Sequence, residues 1–113
     1  MFAVIYRGYL KAGREEEYQQ LWHLIATYFI EHRGAIGSCL HKAEDGMWLA
    51  YSRWPDKATR DASWPGDDAP SNELPDTIKQ AIIKIKDCID EQCKLPDICL
   101  EVVDDLLSNH AIK

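Results

Sequence analysis

At 113 residues the chain is the size of one domain, and a chain of that length buries roughly two-thirds of the surface its unfolded form exposes, enough for one core. The 46% hydrophobic and 28% charged content is that of an ordinary globular protein, and the net charge of −6 excludes a broadly basic surface. Lysine and arginine are scattered singly, which argues against nucleic acid as a partner, and no apolar run has the length of a membrane span.

Residues 2–10 read as a strand that is apolar on both faces. Phe2, Val4, Tyr6 and Leu10 lie on one face and Ala3, Ile5 and Tyr9 on the other, because side chains alternate along a strand. Helices can cover one face of such a sheet. The second needs another cover, and a second copy of the chain supplies it, so a homodimer through the sheet face is expected.

A helix is predicted over residues 13–32. Glu15, Glu16 and Glu17 stand in its first turn, where carboxylates favour the positive end of the dipole. Tyr18, Leu21, Trp22, Ile25 and Phe29 form the buried stripe, and Gly34 supplies the stop. Residues 36–42 and 47–54 then flank Glu44-Asp45-Gly46 as a hairpin. Taking Asp45-Gly46 as a two-residue turn places Lys42 opposite Leu49, Leu40 opposite Tyr51 and Ser38 opposite Arg53. The other face then carries Cys39, His41, Trp48, Ala50, Ser52 and Trp54.

Pro55-Asp56-Lys57 ends the third strand and opens a short helix through Ala62. Residues 64–75 are turn-rich and acidic, long for an ordinary connection, and read as an insertion or a lid. A second long helix is predicted over residues 76–92, with Ile78, Ile82, Ile85 and Ile89 as its stripe. Pro96 precedes a last strand, 98–103. The order is β-α-β-β-α-β with an extra short helix, a ferredoxin-like α+β sandwich. One domain is expected over residues 1–103, with a tail at 104–113.

Cys39, Cys88, Cys93 and Cys99 form no CxxC pair and make no zinc site. The N-terminal apolar run stops at Arg7 without a basic leader, so no signal peptide is expected and the thiols read as reduced, in the cytoplasm. There is no phosphate loop, no GxSxG and no HExxH.

Three stretches carry a family resemblance. They are the first strand with Lys11-Ala12-Gly13 after it, His32-Arg33-Gly34 entering the second strand, and the third strand ending in Trp54-Pro55-Asp56-Lys57-Ala58. In these the chain resembles the antibiotic biosynthesis monooxygenase group of dimeric α+β barrels, over about residues 2–64. The resemblance implies a homodimer, a pocket between sheet and helices, and oxidation of aromatic or quinol-type molecules without a bound metal or flavin. Some members of the group degrade haem with an Asn, a Trp and a His. Here those positions fall on Tyr6, near Trp64 and near Glu73, which argues against that branch.

The candidate site follows from these readings. Tyr6 and His41 are the candidate catalytic residues, His41 as a general base because an ordinary imidazole titrates near neutrality. Trp54, Trp64, Tyr51 and Arg53 are candidate substrate-binding residues, the aromatics by stacking and Arg53 by charge. No metal ligand and no cofactor is expected. Two functions remain open: a cofactor-independent monooxygenase acting on a small aromatic or quinol-type molecule, and a non-enzymatic dimeric module for binding or scaffolding.

Overall fold

The computed structural model describes residues 1–63 and 74–107. Four strands, β1 (Phe2–Gly8), β2 (Gly37–Lys42), β3 (Trp48–Trp54) and β4 (Ile98–Glu101), form one sheet in the order β2-β3-β1-β4, with every neighbouring pair antiparallel. The helices are α1 (Glu15–His32), the short α2 (Lys57–Ser63) and α3 (Asp76–Asp87). This is the ferredoxin-like α+β fold expected from the element order. The doubly apolar β1 is a central strand, paired along both edges.

The two long helices pack on each other and on one face of the sheet. Val4 and Trp54 from the sheet, Ile25 and Phe29 from α1, and Ile78, Ala81 and Ile82 from α3 make the core. Leu74, at the end of the acidic stretch, is buried among them. At the end of α1, Gly34 takes φ +85° while Arg33 and Ala35 both donate to the Phe29 carbonyl, a glycine stop of the expected kind.

The hairpin departs from the expected register by one residue. Ala43 N donates to the Met47 carbonyl at 2.7 Å, so the loop comprises three residues, Glu44, Asp45 and Gly46. Gly46 adopts φ +94°, as the last residue of a three-residue hairpin loop requires. Asp45 reinforces the turn by accepting from Met47 N at 2.9 Å and from the Tyr9 hydroxyl at 2.8 Å, and these bonds hold its carboxyl below the usual range. Lys42 therefore pairs with Trp48, Leu40 with Ala50 and Ser38 with Ser52, while His41 pairs with Leu49 and Cys39 with Tyr51. Opposed residues share a face. Cys39 and His41 thus belong with Leu49, Tyr51 and Arg53 on the face that the long helices leave open, and not with Ala50 and Ser52.

The second long helix is also shorter than its apolar spacing suggests. It ends at Asp87, and the chain then runs beside the end of β1: Lys11 N donates to the Cys88 carbonyl at 2.9 Å, and Asp90 N to the Tyr9 carbonyl at 2.8 Å. Ile89 bridges to Leu10 in an extended conformation. The Asp90 carboxylate then caps a single 3₁₀ turn, Glu91–Cys93. From the end of β4 to residue 107 the chain is irregular, and Val102 N adds one more bond, to the Met1 carbonyl at 2.9 Å.

Candidate functional site

On the helix-facing side of the sheet, the floor positions run Tyr6 and Gly8 on β1, Trp48, Ala50, Ser52 and Trp54 on β3, and Ser38 on β2. Gly8, Ala50, Ser38 and Ser52 are too small to reach the helices, and Ala26 of α1 is equally short. Small side chains on both layers leave a void where large ones would interlock. The result is a cavity of about 420 Å³ between sheet and helices. Its helical wall is apolar, built by Trp22, Ile25, Ala26 and Phe29 of α1 and by Ile82 and Ile85 of α3. Its mouth, where the 3₁₀ turn approaches β4, carries Arg7, Lys86, Glu91, Lys94 and Asp97.

Few polar groups meet this space. The Tyr6 hydroxyl accepts a hydrogen bond from Arg60 Nη2 of α2 at 3.3 Å. Burial pushes the Tyr6 phenol above its ordinary range, and the Arg60 cation partly offsets that rise. Tyr18 is pushed up to about 12 by burial. Both phenols are therefore neutral at physiological pH and serve as hydrogen-bonding groups, not as bases. Ser38 Oγ and Ser52 Oγ lie 3.0 Å apart on the floor. Trp54 Nε1 and Arg60 Nε are buried without a hydrogen-bond partner among the described residues.

The six residues predicted from sequence do not converge on one place. Tyr6 and Trp54 line the cavity. His41 is exposed on the opposite face of the sheet, its Nδ1 3.3 Å from the Leu49 carbonyl, so the slipped register removes it from the cavity. Tyr51 and Arg53 lie on that same open face, where Arg53 Nε donates to the Tyr51 hydroxyl at 3.0 Å and its guanidinium pairs with Asp105. That carboxylate belongs to the chain's own C-terminal segment, not to a second copy. Trp64 lies outside the described residues, as do Asp67, Asp68 and Glu73. No group of three His, Cys, Asp or Glu side chains among the described residues is placed to hold a metal ion.

Sequence reasoning missed Ser38, Ser52 and Arg60 as site residues. Arg60 sits three residues after Lys57, on the inward side of a short helix, and that spacing was the available signal.

A ferredoxin-like sheet with two long helices on one face and a short helix after β3 is the fold this chain shares with solved structures described as antibiotic biosynthesis monooxygenases. Solved structures of that description superpose on nearly the whole chain. One antibiotic biosynthesis monooxygenase matches with TM-score 0.66 and 13% identity over 92% of this chain and 100% of its own. A point mutant of SnoaB, a cofactor-independent oxygenase from Streptomyces nogalater, matches with TM-score 0.66 and 12% identity over 95% of this chain and 97% of its own. A Chloroflexus aurantiacus J-10-fl protein provisionally assigned to the same group gives TM-score 0.69 and 12% identity over 92% and 94%. At such identities the likeness establishes the fold. No family model matches the sequence, and no curated protein matches it significantly.

Proposed function

We propose that the protein takes a compact phenol- or quinol-type aromatic molecule into the cavity and oxygenates it without a resident cofactor. The observation that carries this reading is the apolar, aromatic-lined space of about 420 Å³ that reaches Tyr6 within this fold. A cavity of about 150 Å³ holds a benzene, so this one has room for two or three fused rings. Arg60, one hydrogen bond behind the Tyr6 oxygen, lowers the cost of negative charge arriving at that end of the cavity. An acidic methylene or quinol carbon that loses a proton there becomes electron-rich enough to reduce O₂. One oxygen atom ends in the substrate as a carbonyl and the other leaves as water, so a CH₂ group and O₂ give C=O and H₂O in balance. Oxygen consumption with a panel of phenols, quinols and anthrone-type methylenes tests the reading. Turnover above the buffer rate is expected for at least one, and its absence for all would overturn the enzymatic part.

One observation favours the second reading, binding without turnover. His41 faces away from the cavity, and the two phenols that line it are shifted toward neutrality, so the described floor and helical wall present no resident base. Saturable binding of the same compounds without oxygen uptake would select it.

A homodimer through the open sheet face belongs to either reading. Ala3, Ile5, Leu49, Tyr51, Ile98 and Leu100 share that face, and neither long helix covers it. Sedimentation at micromolar concentration should give about twice the 13.0 kDa of the chain, and a clean monomer would remove the dimer. Residence in the cytoplasm is part of the proposal, supported by four cysteines that form no disulfide. No helix among the described residues is long and apolar enough to cross a membrane.

A further inference from the structure

Ser38 and Ser52 are directly opposed residues of β2 and β3, side by side on the cavity floor with their hydroxyl oxygens 3.0 Å apart. Two hydroxyls carry two protons and four lone pairs. The bond between them uses one proton and one lone pair. No other partner for either hydroxyl exists among the described residues. One O–H donor and the remaining acceptor capacity of a half-buried pair are therefore left for whatever fills the cavity.

The surroundings narrow what that is. The helical wall of the cavity is hydrocarbon and aromatic, with Trp22, Ala26 and Phe29 among its residues. Along β3 the pair lies between Trp48 and Trp54, with Ala50 as the low point of the floor. A flat ring lying over Ala50 stands between Trp48 on one side and Ser52 on the other, the neighbours of Ala50 on the same face of β3. Tyr6, opposite Ala50 on the next strand, is one diagonal step from Ser52. An oxygen atom on the ring edge is the group that suits the serines: a carbonyl takes the spare O–H, and a hydroxyl can both take it and give its own proton to a lone pair.

We infer that the Ser38–Ser52 hydroxyl pair is the polar anchor of the cavity, receiving a ring-bound hydroxyl or carbonyl oxygen of the aromatic ligand and setting its orientation. This rests on the proposed reading of the cavity as a site for aromatic molecules. The pair discriminates oxygenated rings from plain hydrocarbons, because a hydrocarbon covers the remaining O–H without pairing it.

The test is a comparison of 2-naphthol with naphthalene by ligand-observed NMR titration of the full chain. The wild-type protein should bind 2-naphthol about 10-fold more tightly than naphthalene. The double variant Ser38→Ala/Ser52→Ala should lose that preference, in part by binding naphthalene more tightly because no O–H is then left unpaired, and Ser52→Thr, which keeps a hydroxyl, should retain it. Equal binding of the two compounds by the wild type would overturn the anchor and leave the aromatic cavity standing. Binding of neither would overturn both. A preference that survives in the double variant would mean that the serines only pair across the strands. The wild-type ratio needs no variant, so a double variant that fails to fold does not shelter the inference.

Discussion

Arg53 and Asp105 form an ion pair over the open face of the sheet, with only 14% and 19% of the two side chains exposed. Arg53 also donates to the Tyr51 hydroxyl at 3.0 Å, so the guanidinium joins β3 to the segment that follows β4. Both bonds favour the charged guanidinium and raise its pKa. Removing the carboxylate leaves a shielded charge short of a partner, which costs more than the intact pair contributes. Asp105→Ala should lower stability by about 1–3 kcal/mol. The double variant Arg53→Met/Asp105→Leu should lie closer to wild type than either single change. Urea unfolding of wild type, Arg53→Met, Asp105→Leu and the double variant checks this, and additive losses would mean that the two residues do not depend on each other.

Gly46 closes the β2–β3 hairpin at φ +94°, with open space where a Cβ would stand. Gly46→Ala should therefore cost about 1 kcal/mol through backbone strain alone, and Gly46→Asn less. Gly34 combines φ +85° with a Cβ position 3.2 Å from Thr59 Cγ2. Gly34→Ala should lose more than Gly46→Ala in the same unfolding assay. The reverse order would show that the hairpin loop, and not the end of α1, is the tighter constraint.

The hairpin also shows where reading a sequence stops. Strand and helix periods identified each element, because a period of two or of 3.6 is a property of one segment. Register depends on the loop, and Asp45-Gly46 fits both a two-residue and a three-residue turn. A shift of one residue was enough to set His41 beside Ala50 in the sequence reading and beside Leu49 in the structure. The end of α3 was hidden for a similar reason: Ile89 continues the helical spacing, although it turns out to bridge Leu10. Tyr6 and Trp54 were legible as large aromatics on inner strand positions. The cavity itself was not, since it is made by what Gly8, Ala26, Ala50 and the two serines lack, and a void between two layers has no signature in either one.

Ala50 is the natural place to close that void. It is buried at 3% exposure, lines the cavity and faces the helical wall. Ala50→Leu adds three carbons to space that is empty in the structure, so it should abolish binding of naphthalene-sized compounds while thermal stability stays level or rises. A sharp fall in melting temperature would mean the floor is already packed. Unchanged binding would place the ligand elsewhere.

Tyr18 of α1 meets Trp48 edge to face, with ring centroids 5.7 Å apart, at the end of the same cavity. Burial pushes its phenol up to about 12, whereas an unfolded tyrosine titrates near 10. The folded state therefore holds this proton more tightly than the unfolded one. The sign follows directly: stability from this group is fully present below about pH 10 and is lost as pH rises towards 12. The ring is partly exposed, so the loss over that window should be about 1–2 kcal/mol, less than an ideal two-unit shift would give. Tyr18→Phe removes the titration but keeps the ring on Trp48. Urea midpoints measured from about pH 8 upward should fall more steeply for wild type than for Tyr18→Phe above about pH 10. Parallel curves would mean that Tyr18 is solvated in the folded protein and that this end of the cavity is open to water.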